Sequence, residues 1–453
     1  MHLQRIQVPD FRVLKNVDIT FEKEFIPRIF PLGSLNGGGK STLLQLIFVL
    51  LHCSTDQERI PFLQNFLQGF TIPEGCNERV LAIIDIWDYE QTIKTKFLTL
   101  KQSHILNFLE LNEDEHNSYN LYSNLITLSE EEKDDLGGLD HIIKELEYAI
   151  SDLTNSADDE TKLQLVKKDL EKNYEMRKSI EEKLNHKARK ILAYFKSKEY
   201  IYICKYSPNS NIKESEQEFL ICHIEGMDIA QAEKKLKQAS QKIFLASPSS
   251  QVFIFMSKKT IDNFFDSGFI KAMYYKQIED DQSKLPGFFT YDFLAVDLII
   301  ESFKAAKDQD FIKLLETGDY GNNYKTLSKD LNSLLLNKRI NVSTDFSGVT
   351  FKVDRDGEMI ELSPADLSHG ELKRLSIYMW LKYHNIENAI VLMDEIEIAL
   401  HPDWQYQIVS DLQEWSPSNQ YILATHSYEL CQALTPAHVK ELDPKLIKLK
   451  ADS

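Results

Sequence analysis

"PLGSLNGGGKSTLLQL", residues 31–46, decides how this chain is read. Gly37, Gly38 and Gly39 run straight into Lys40, Ser41 and Thr42, and an apolar pattern of helical spacing follows. A phosphate-binding loop needs this order. Glycines let the backbone curl its N–H groups around an anion, a lysine reaches the β and γ phosphates, and a hydroxyl serves Mg²⁺. The full pattern asks for glycine at position 34, where this chain has Ser34 just after Gly33, and Asn36 lies inside the loop. A glycine-rich turn is the plain alternative, and its flanks weigh against it. "IPRIF" at 26–30 is a short apolar strand entering the loop. Leu43, Leu44, Leu46, Ile47, Val49 and Leu50 then make a helix apolar almost all round, as buried helices are.

Three later stretches carry chemistry of the same kind. "AIVLMDEIEIALHP" at 389–402 ends an apolar strand on two acids. In loop-type NTPases an aspartate there helps hold Mg²⁺ and a neighbour positions the attacking water, which suits Asp394 and Glu395 respectively. Alone, such a pair is an ordinary solvated strand end; beside a phosphate loop it reads as a site. "LSHGELKRLSIYMWL" at 367–381 places Ser368 and Gly370 where a helix begins and free N–H groups face an anion. Ser368 with Glu371 three residues on is equally a capping box, and the two readings are compatible. "YILATHS" at 421–427 puts His426 at the C-terminal edge of another buried strand, where it is placed to sense a γ-phosphate.

The rest of the chain sets the frame. Its 453 residues exceed the usual single domain of roughly 100 to 200, so one domain with a large insertion, or two domains, is expected. "HLQRIQV", "FRVLKNVDITF", "RVLAIIDIWDY" and "TKFLTLKQ" read as strands, the last two in a second, antiparallel sheet. Leu139, Ile142, Ile143, Leu146 and Ile150, then Leu163, Val166, Leu170, Ile180, Leu184 and Ile191, recur near a 3.5 period. They predict an antiparallel helical hairpin. Asn173, Arg177 and Lys187 fall on its seam, which favours a short charged hairpin, and a pair of solvated surface helices is the alternative. Strands return at "EYIYICKY", "EFLICHIEG" and "QVFIFMS", a mixed, mostly helical stretch runs from 258 to 338, and a hairpin follows. In that hairpin Val349, Phe351 and Val353 alternate and Asp356-Gly357 makes the turn. "NAIVLMDE" and "QYILATHS" are apolar throughout, like parallel strands covered on both faces. The expected organisation is an N-terminal lobe at 1–127, a hairpin insertion at 128–200, a mixed insertion at 201–338 and a C-terminal lobe at 339–453.

A net charge of −18 means that the average surface repels nucleic acid, so any DNA contact must come from a local patch or a partner. Cys53, Cys76, Cys204, Cys222 and Cys431 form no CxxC pair and read as reduced core residues. No apolar run reaches the roughly 18 residues that span a bilayer. "MHLQRIQVPDF" alternates polar with apolar residues, unlike a signal peptide, so a cytoplasmic protein is expected.

The order of the motifs says more than any one of them. Phosphate loop, LSxGE, strand plus DE, and strand plus histidine resembles the α/β head of ABC-type P-loop ATPases of the SMC and RecF class, over residues 1–52 and about 340–430. The resemblance implies a mixed sheet, an N-terminal antiparallel sheet, and two heads closing on two ATP molecules with Mg²⁺. It gives Asn36 to Thr42 to the nucleotide, Ser41 and Asp394 to the metal, and Glu395 and His426 to catalysis. Ser368, Gly370 and Glu371 would meet the γ-phosphate held by Lys40 of the other head. "VPDFRVLKNVDITF" looks like the opening of RecF-like heads, which puts Phe11 and Arg12 near the nucleotide; Arg12 as a plain surface residue is the alternative. His401 and Pro402 stand where the family's D-loop lies, His401 as participant or as helix cap. Gln251 is the candidate for the Q-loop glutamine, against an ordinary surface glutamine.

"DEIEIALHP" further resembles the form found in the overcoming-lysogenization-defect group and in ATPase subunits of Septu-type, retron-associated and PARIS-type anti-phage systems. That implies a standalone ATPase controlling a separately encoded HNH or topoisomerase-primase-type nuclease, with nucleic acid reached through the complex. Few residues follow His426, so a nuclease domain on the same chain is not expected. A RecF-like clamp on duplex DNA is the rival reading. A nucleotide-binding scaffold with little turnover is the third.

Overall fold

The computed structural model describes residues 1–34, 37–105, 130–155, 160–208, 217–248, 251, 283–291, 296–335, 337–355 and 357–442. In chain order, β1 (His2–Phe11), β2 (Leu14–Thr20) and β3 (Ile29–Gly33) precede α1 (Lys40–Cys53) and α2 (Ile60–Phe66). Then come β4 (Glu78–Trp87), β5 (Thr92–Lys101), α3 (Glu130–Asn155), α4 (Glu160–Ser197), β6 (Ile201–Tyr206) and β7 (Glu218–Ile224). Next are α5 (Ile229–Ser240), β8 (Ile243–Ser247), β9 (Phe288–Thr290), α6 (Val296–Thr317), α7 (Asn323–Leu334) and the strands β10 (Lys338–Val342), β11 (Val349–Arg355) and β12 (Glu358–Leu362). The chain closes with α8 (His369–Tyr383), β13 (Ile390–Asp394), α9 (Pro402–Trp415), β14 (Gln420–Ala424), α10 (Tyr428–Gln432) and β15 (Lys440–Glu441).

These elements gather into two compact units that interleave along the chain. The first comprises Met1–Phe66, Leu81–Lys96 and Glu233–Ser453. At its centre is a six-stranded sheet in the order β15-β3-β14-β13-β8-β9, with every recorded pairing parallel. Every residue of β13 and β14 is buried, which is why neither strand alternates in sequence. Helix α1 covers one side of β8, β13 and β14. Val391, Met393, Tyr421 and Leu423 enter a core shared with Leu375, Met379, Trp380, Phe303, Ile408 and Leu412. Because the strands run parallel, the loops after β3, β8, β13 and β14 emerge at one edge, where open α/β sheets bind ligands.

β1 and β2 form a hairpin in this unit, with β4 on the other side of β1. The stretch from Phe11 to Phe21 is not one strand: Phe11 pairs with Leu14, and the chain turns at Arg12 (φ 51°) and Val13. The turn carries no glycine or proline, so apolar periodicity alone runs straight through it. The β11–β12 hairpin closes with Arg355 opposite Glu358 and Gly357 at φ 90°, as the alternation foretells. Asp356 lies outside the described residues, as do residues 252–257 of the expected strand "QVFIFMS".

The second unit comprises Leu67–Val80 and Phe97–Ala232. Leu184, Ala188, Ile191 and Phe195 of α4 recur at helical spacing and bury against Leu98, Leu100, Phe219 and Ile221. The antiparallel hairpin is present: Arg177 of α4 meets Asp140 of α3 at 2.9 Å, and the Tyr174 hydroxyl donates to Glu147 at 2.5 Å. Arg177 is thus accommodated on the seam by a cross-helix ion pair, while Asn173 donates to Asp169 O within its own helix. The seam is narrower than its sequence stripe, since Leu139 and Ile143 are buried but Ile142 is 43% exposed. Nothing is described of the Lys187 side chain.

All five cysteines are free; Cys53, Cys204 and Cys222 are buried as expected, whereas Cys76 is exposed. Among the described residues no helix is long and apolar enough to cross a membrane.

Candidate nucleotide-binding site

Strand β3 runs into the glycine loop and α1 opens at Lys40. The loop's geometry explains its glycines. Gly37 and Gly39 take φ of 76° and 92°, where a Cβ is strained. At Gly39 a Cβ would also stand 2.6 Å from Leu14 Cδ2 and 2.9 Å from Val13 Cγ2, so the β1–β2 turn abuts the loop. The first turn of α1 has no side-chain cap and no acid, which leaves its N–H groups and dipole free for an anion.

The loop forms one wall of a cavity of about 590 Å³ lined by Val13, Gly37 to Thr42, Asp394, Glu395 and His426. Three separate sequence motifs contribute to that one lining, the glycine loop, the strand-end acids and the strand-end histidine. Strand order is the reason: β14 lies between β3 and β13, so the residue after β14 falls between the phosphate loop and the end of β13.

Lys40 is 6% exposed. Its Nζ lies 3.1 Å from Ser34 Oγ, 3.3 Å from Ser34 O and 3.0 Å from His426 Nε2. Burial lowers its pKa, and the charges of Asp394, Glu397 and Glu395 oppose that shift. An ammonium donating to Nε2 requires that nitrogen to be bare, so the contact selects the His426 tautomer with its proton on Nδ1.

Asp394 is 1% exposed and neither carboxylate oxygen has a hydrogen bond of ordinary geometry. Burial pushes its pKa up to about 6, although Ser41 and Gln251 lie close enough to pull it down. Two orphaned carboxylate oxygens beside Ser41 in a phosphate-loop cavity fit a bound Mg²⁺. That ion takes one or two protein ligands and fills its octahedron with water and phosphate oxygens.

Glu395 is held in an unusual conformation, with φ 50°. Its N–H donates to Ala424 O at 2.9 Å, and its carbonyl and that of Ile398 each accept from Lys373 Nζ at 3.0 Å. A non-glycine residue at positive φ persists only where its surroundings over-determine it. Here the anchor is a buried lysine of α8.

The other nominated residues lie elsewhere. Arg12 does not line the cavity: its guanidinium donates to Phe66 O at 2.8 Å and sits 4.4 Å above the Phe66 ring. Val13, its neighbour, is on the wall instead. Ser368 caps α8, its hydroxyl accepting from Glu371 N–H while Glu371 Oε2 accepts Ser368 N–H at 2.9 Å. Burial raises the Glu371 carboxyl pKa, but hydrogen bonds from Lys338 and Ser368 outweigh it and hold it below its usual value. A Cβ on Gly370 would stand 2.8 Å from Trp404 Cζ3 and 2.9 Å from Ala399 O. None of these three lines the cavity of their own chain. His401 caps α9 through Nδ1, which accepts Asp403 N–H at 3.3 Å. Gln251 accepts from Gln45 Nε2 at 2.6 Å and lies near Asp394. Asn36 lies outside the described residues.

Two contributors escaped the sequence reading. Val13 carried no signal. Glu397 did, as a third acid in the stretch that holds Asp394 and Glu395, and its Oε1 accepts the backbone N–H of His426 at 2.7 Å.

A parallel sheet with a glycine loop, a buried strand-end aspartate and a neighbouring glutamate on one cavity is the architecture of a P-loop ATPase. The chain belongs to the AAA ATPase domain family, whose model matches residues 1–431. Among curated relatives it is 35% identical over 97 residues to the probable ATPase of retron Vc95 from Vibrio cholerae serotype O1 biovar El Tor, covering 18% of this chain and 19% of that one. It is 30% identical over 155 residues to the probable ATPase of retron Ec83 from Escherichia coli, covering 28% of each. The matched stretches span less than a third of either relative. Among solved structures, the SMC head domain from Thermotoga maritima aligns over 96% of this chain and 92% of its own at 8% identity and a TM-score of 0.37. The Smc head of Pyrococcus furiosus with an extended coiled coil, bound to the C-terminal domain of ScpA, aligns over 95% and 91% at 12% identity and a TM-score of 0.32. Scores this low add no weight to the topology described above.

Proposed function

We propose that this chain binds ATP with Mg²⁺ in the cavity between the glycine loop and β13, hydrolyses it, and works as a head dimer that controls a separately encoded nuclease in anti-phage defence. One observation carries the ATPase part: Lys40, the buried Asp394, Glu395 and His426 converge on a single cavity.

The residues divide the work as follows. Lys40 leaves Ser34 and His426 to donate to the β and γ phosphates, and the loop N–H groups hold them from below. Ser41 and Asp394 would hold Mg²⁺, which supplies neutralisation of phosphate charge when bound. Glu395, fixed by Lys373, orients the attacking water and takes its proton. His426 faces the γ-phosphate position once Lys40 has moved. Ser368 is exposed at the start of α8 and absent from its own chain's cavity, which supports a second head supplying Ser368, Gly370 and Glu371 to close the site.

The defence role draws on the retron ATPase relatives and is tested by capture. The tagged chain, wild type beside Glu395→Gln, is recovered from its native host and co-purifying proteins are identified by mass spectrometry. A stoichiometric nuclease from a neighbouring gene is the expected result. Recovery of DNA or recombination proteins instead, more strongly with Glu395→Gln, would replace this reading with a RecF-like clamp. ATP binding without turnover that Glu395→Gln leaves unchanged would make the chain a scaffold.

A further inference from the structure

Glu397 sits two residues beyond Glu395, 9% exposed, and does not line the cavity. Its Oε1 accepts the His426 N–H at 2.7 Å, and its Oε2 is buried with no hydrogen-bond partner. His426 is where the ladder of β14 ends: the last paired residue is Ala424, and Thr425 N–H reaches Leu32 O only at 3.4 Å. A strand-end N–H needs an acceptor, and a backbone carbonyl or a water would serve. A buried carboxylate is a far costlier acceptor, and leaving one oxygen bare adds to that cost. What it supplies in return is a short charge-assisted hydrogen bond and a negative charge that acts on Lys40.

We infer that Glu397 is a positioning residue for His426: through the His426 backbone it fixes the imidazole opposite Lys40 and ties the strand end of β14 to the turn that carries Glu395. That turn is held a second time, since the Glu397 carbonyl accepts from Leu400 N–H at 3.0 Å and from Gln405 Nε2 at 3.4 Å. With Lys373 on one side and Glu397 on the other, the turn that carries Glu395 and the strand end that carries His426 are tied together. The inference rests on the ATPase reading.

The test is a set of purified full-length variants: Glu397→Ala, Glu397→Gln, His426→Ala and the double Glu397→Ala/His426→Ala. Glu397→Ala is expected to lower kcat roughly ten- to a hundredfold, the range of one charge-assisted hydrogen bond, while affinity for a non-hydrolysable ATP analogue moves far less. Glu397→Gln, which keeps an acceptor oxygen, should recover part of the loss, and the double variant should be no slower than His426→Ala. Losses that multiply in the double variant, or normal turnover in Glu397→Ala, would overturn the inference. If Glu397→Ala fails to fold, the same comparison is made with Glu397→Gln. A wild type that binds but does not hydrolyse ATP would sink the ATPase reading instead. The tether is then read from the imidazole NMR signals of His426, assigned through His426→Ala; they should move in Glu397→Gln, and unmoved signals would end the inference.

Discussion

Lys40 Nζ stands 3.0 Å from His426 Nε2, joining the first residue of α1 to the residue beyond β14 across 386 positions of chain. The ammonium has three protons and three partners here: Ser34 Oγ, Ser34 O and His426 Nε2. Ser34 supplies two of them, and its hydroxyl exists only because this loop has serine where the pattern has glycine. The lysine is therefore satisfied by its own protein, and under the proposed function a nucleotide would exchange those bonds for stronger ones.

Lys40→Met removes the donor and keeps the length of the side chain. Hydrogen bonds to charged groups contribute about 1.5 to 3 kcal/mol each, so affinity for a fluorescent ATP analogue should fall at least roughly tenfold. Circular dichroism should be unchanged, because Ser34 and His426 both lie beyond the ends of their strands and the lost contacts belong to no helix or strand ladder. Unaltered affinity would separate this cavity from nucleotide binding altogether.

A second lysine lies outside the cavity lining. Lys373 is 5% exposed, donates to Glu395 O and Ile398 O, and lies 4.1 Å over the Tyr291 ring. Lys373→Met should leave two carbonyls without their donor and let the turn at Glu395 relax from its positive φ. A stability loss of about 2 to 3 kcal/mol is expected in urea unfolding. Turnover should fall by a larger factor than nucleotide affinity, because the turn positions Glu395 and not the loop. Equal losses in both would mean that Lys373 supports the fold alone.

The parts of this architecture that sequence disclosed share a physical cause. Parallel strands end at one edge of their sheet, so Lys40, Asp394 and His426, each following an apolar run, belong at one place by sequence alone. The Arg12–Val13 turn could not, since Phe11 and Leu14 keep the apolar spacing of a continuous strand across it. Glu397 was visible as a letter but not as a partner: only the order β3-β14-β13 brings the His426 N–H to its carboxylate. The expected lobes were drawn as continuous stretches, whereas the compact units interleave, with Leu67–Val80 and Phe97–Ala232 forming one of them.

His52 makes the first unit acid-sensitive. On α1 it is 3% exposed; its Nδ1–H donates to Ser240 O at 2.9 Å and its Nε2 accepts Gly287 N–H at 3.4 Å. The neutral ring is thus matched at both nitrogens, whereas a protonated ring would aim N–H at N–H. Phe48 stacks on one face at 4.7 Å, and of the charged neighbours Arg59 disfavours and Asp56 favours the imidazolium. Burial is the largest cause, and it pushes the pKa down from 6.5 to about 4. Between those values the unfolded chain binds a proton that the folded one refuses. Stability from this site is therefore full above pH 6.5 and is lost as pH falls toward 4. From pH 7 to 5 the loss is about 2 kcal/mol. The Met1 amine and His2, with pKa values lowered to about 5 and about 4 by burial, act in the same direction. The test is a difference: urea unfolding of wild type and His52→Gln at pH 7 and 5. The variant should be less stable at pH 7 but lose about 2 kcal/mol less on acidification. Parallel losses in the two proteins would show that the ring is already open to water at the end of α1.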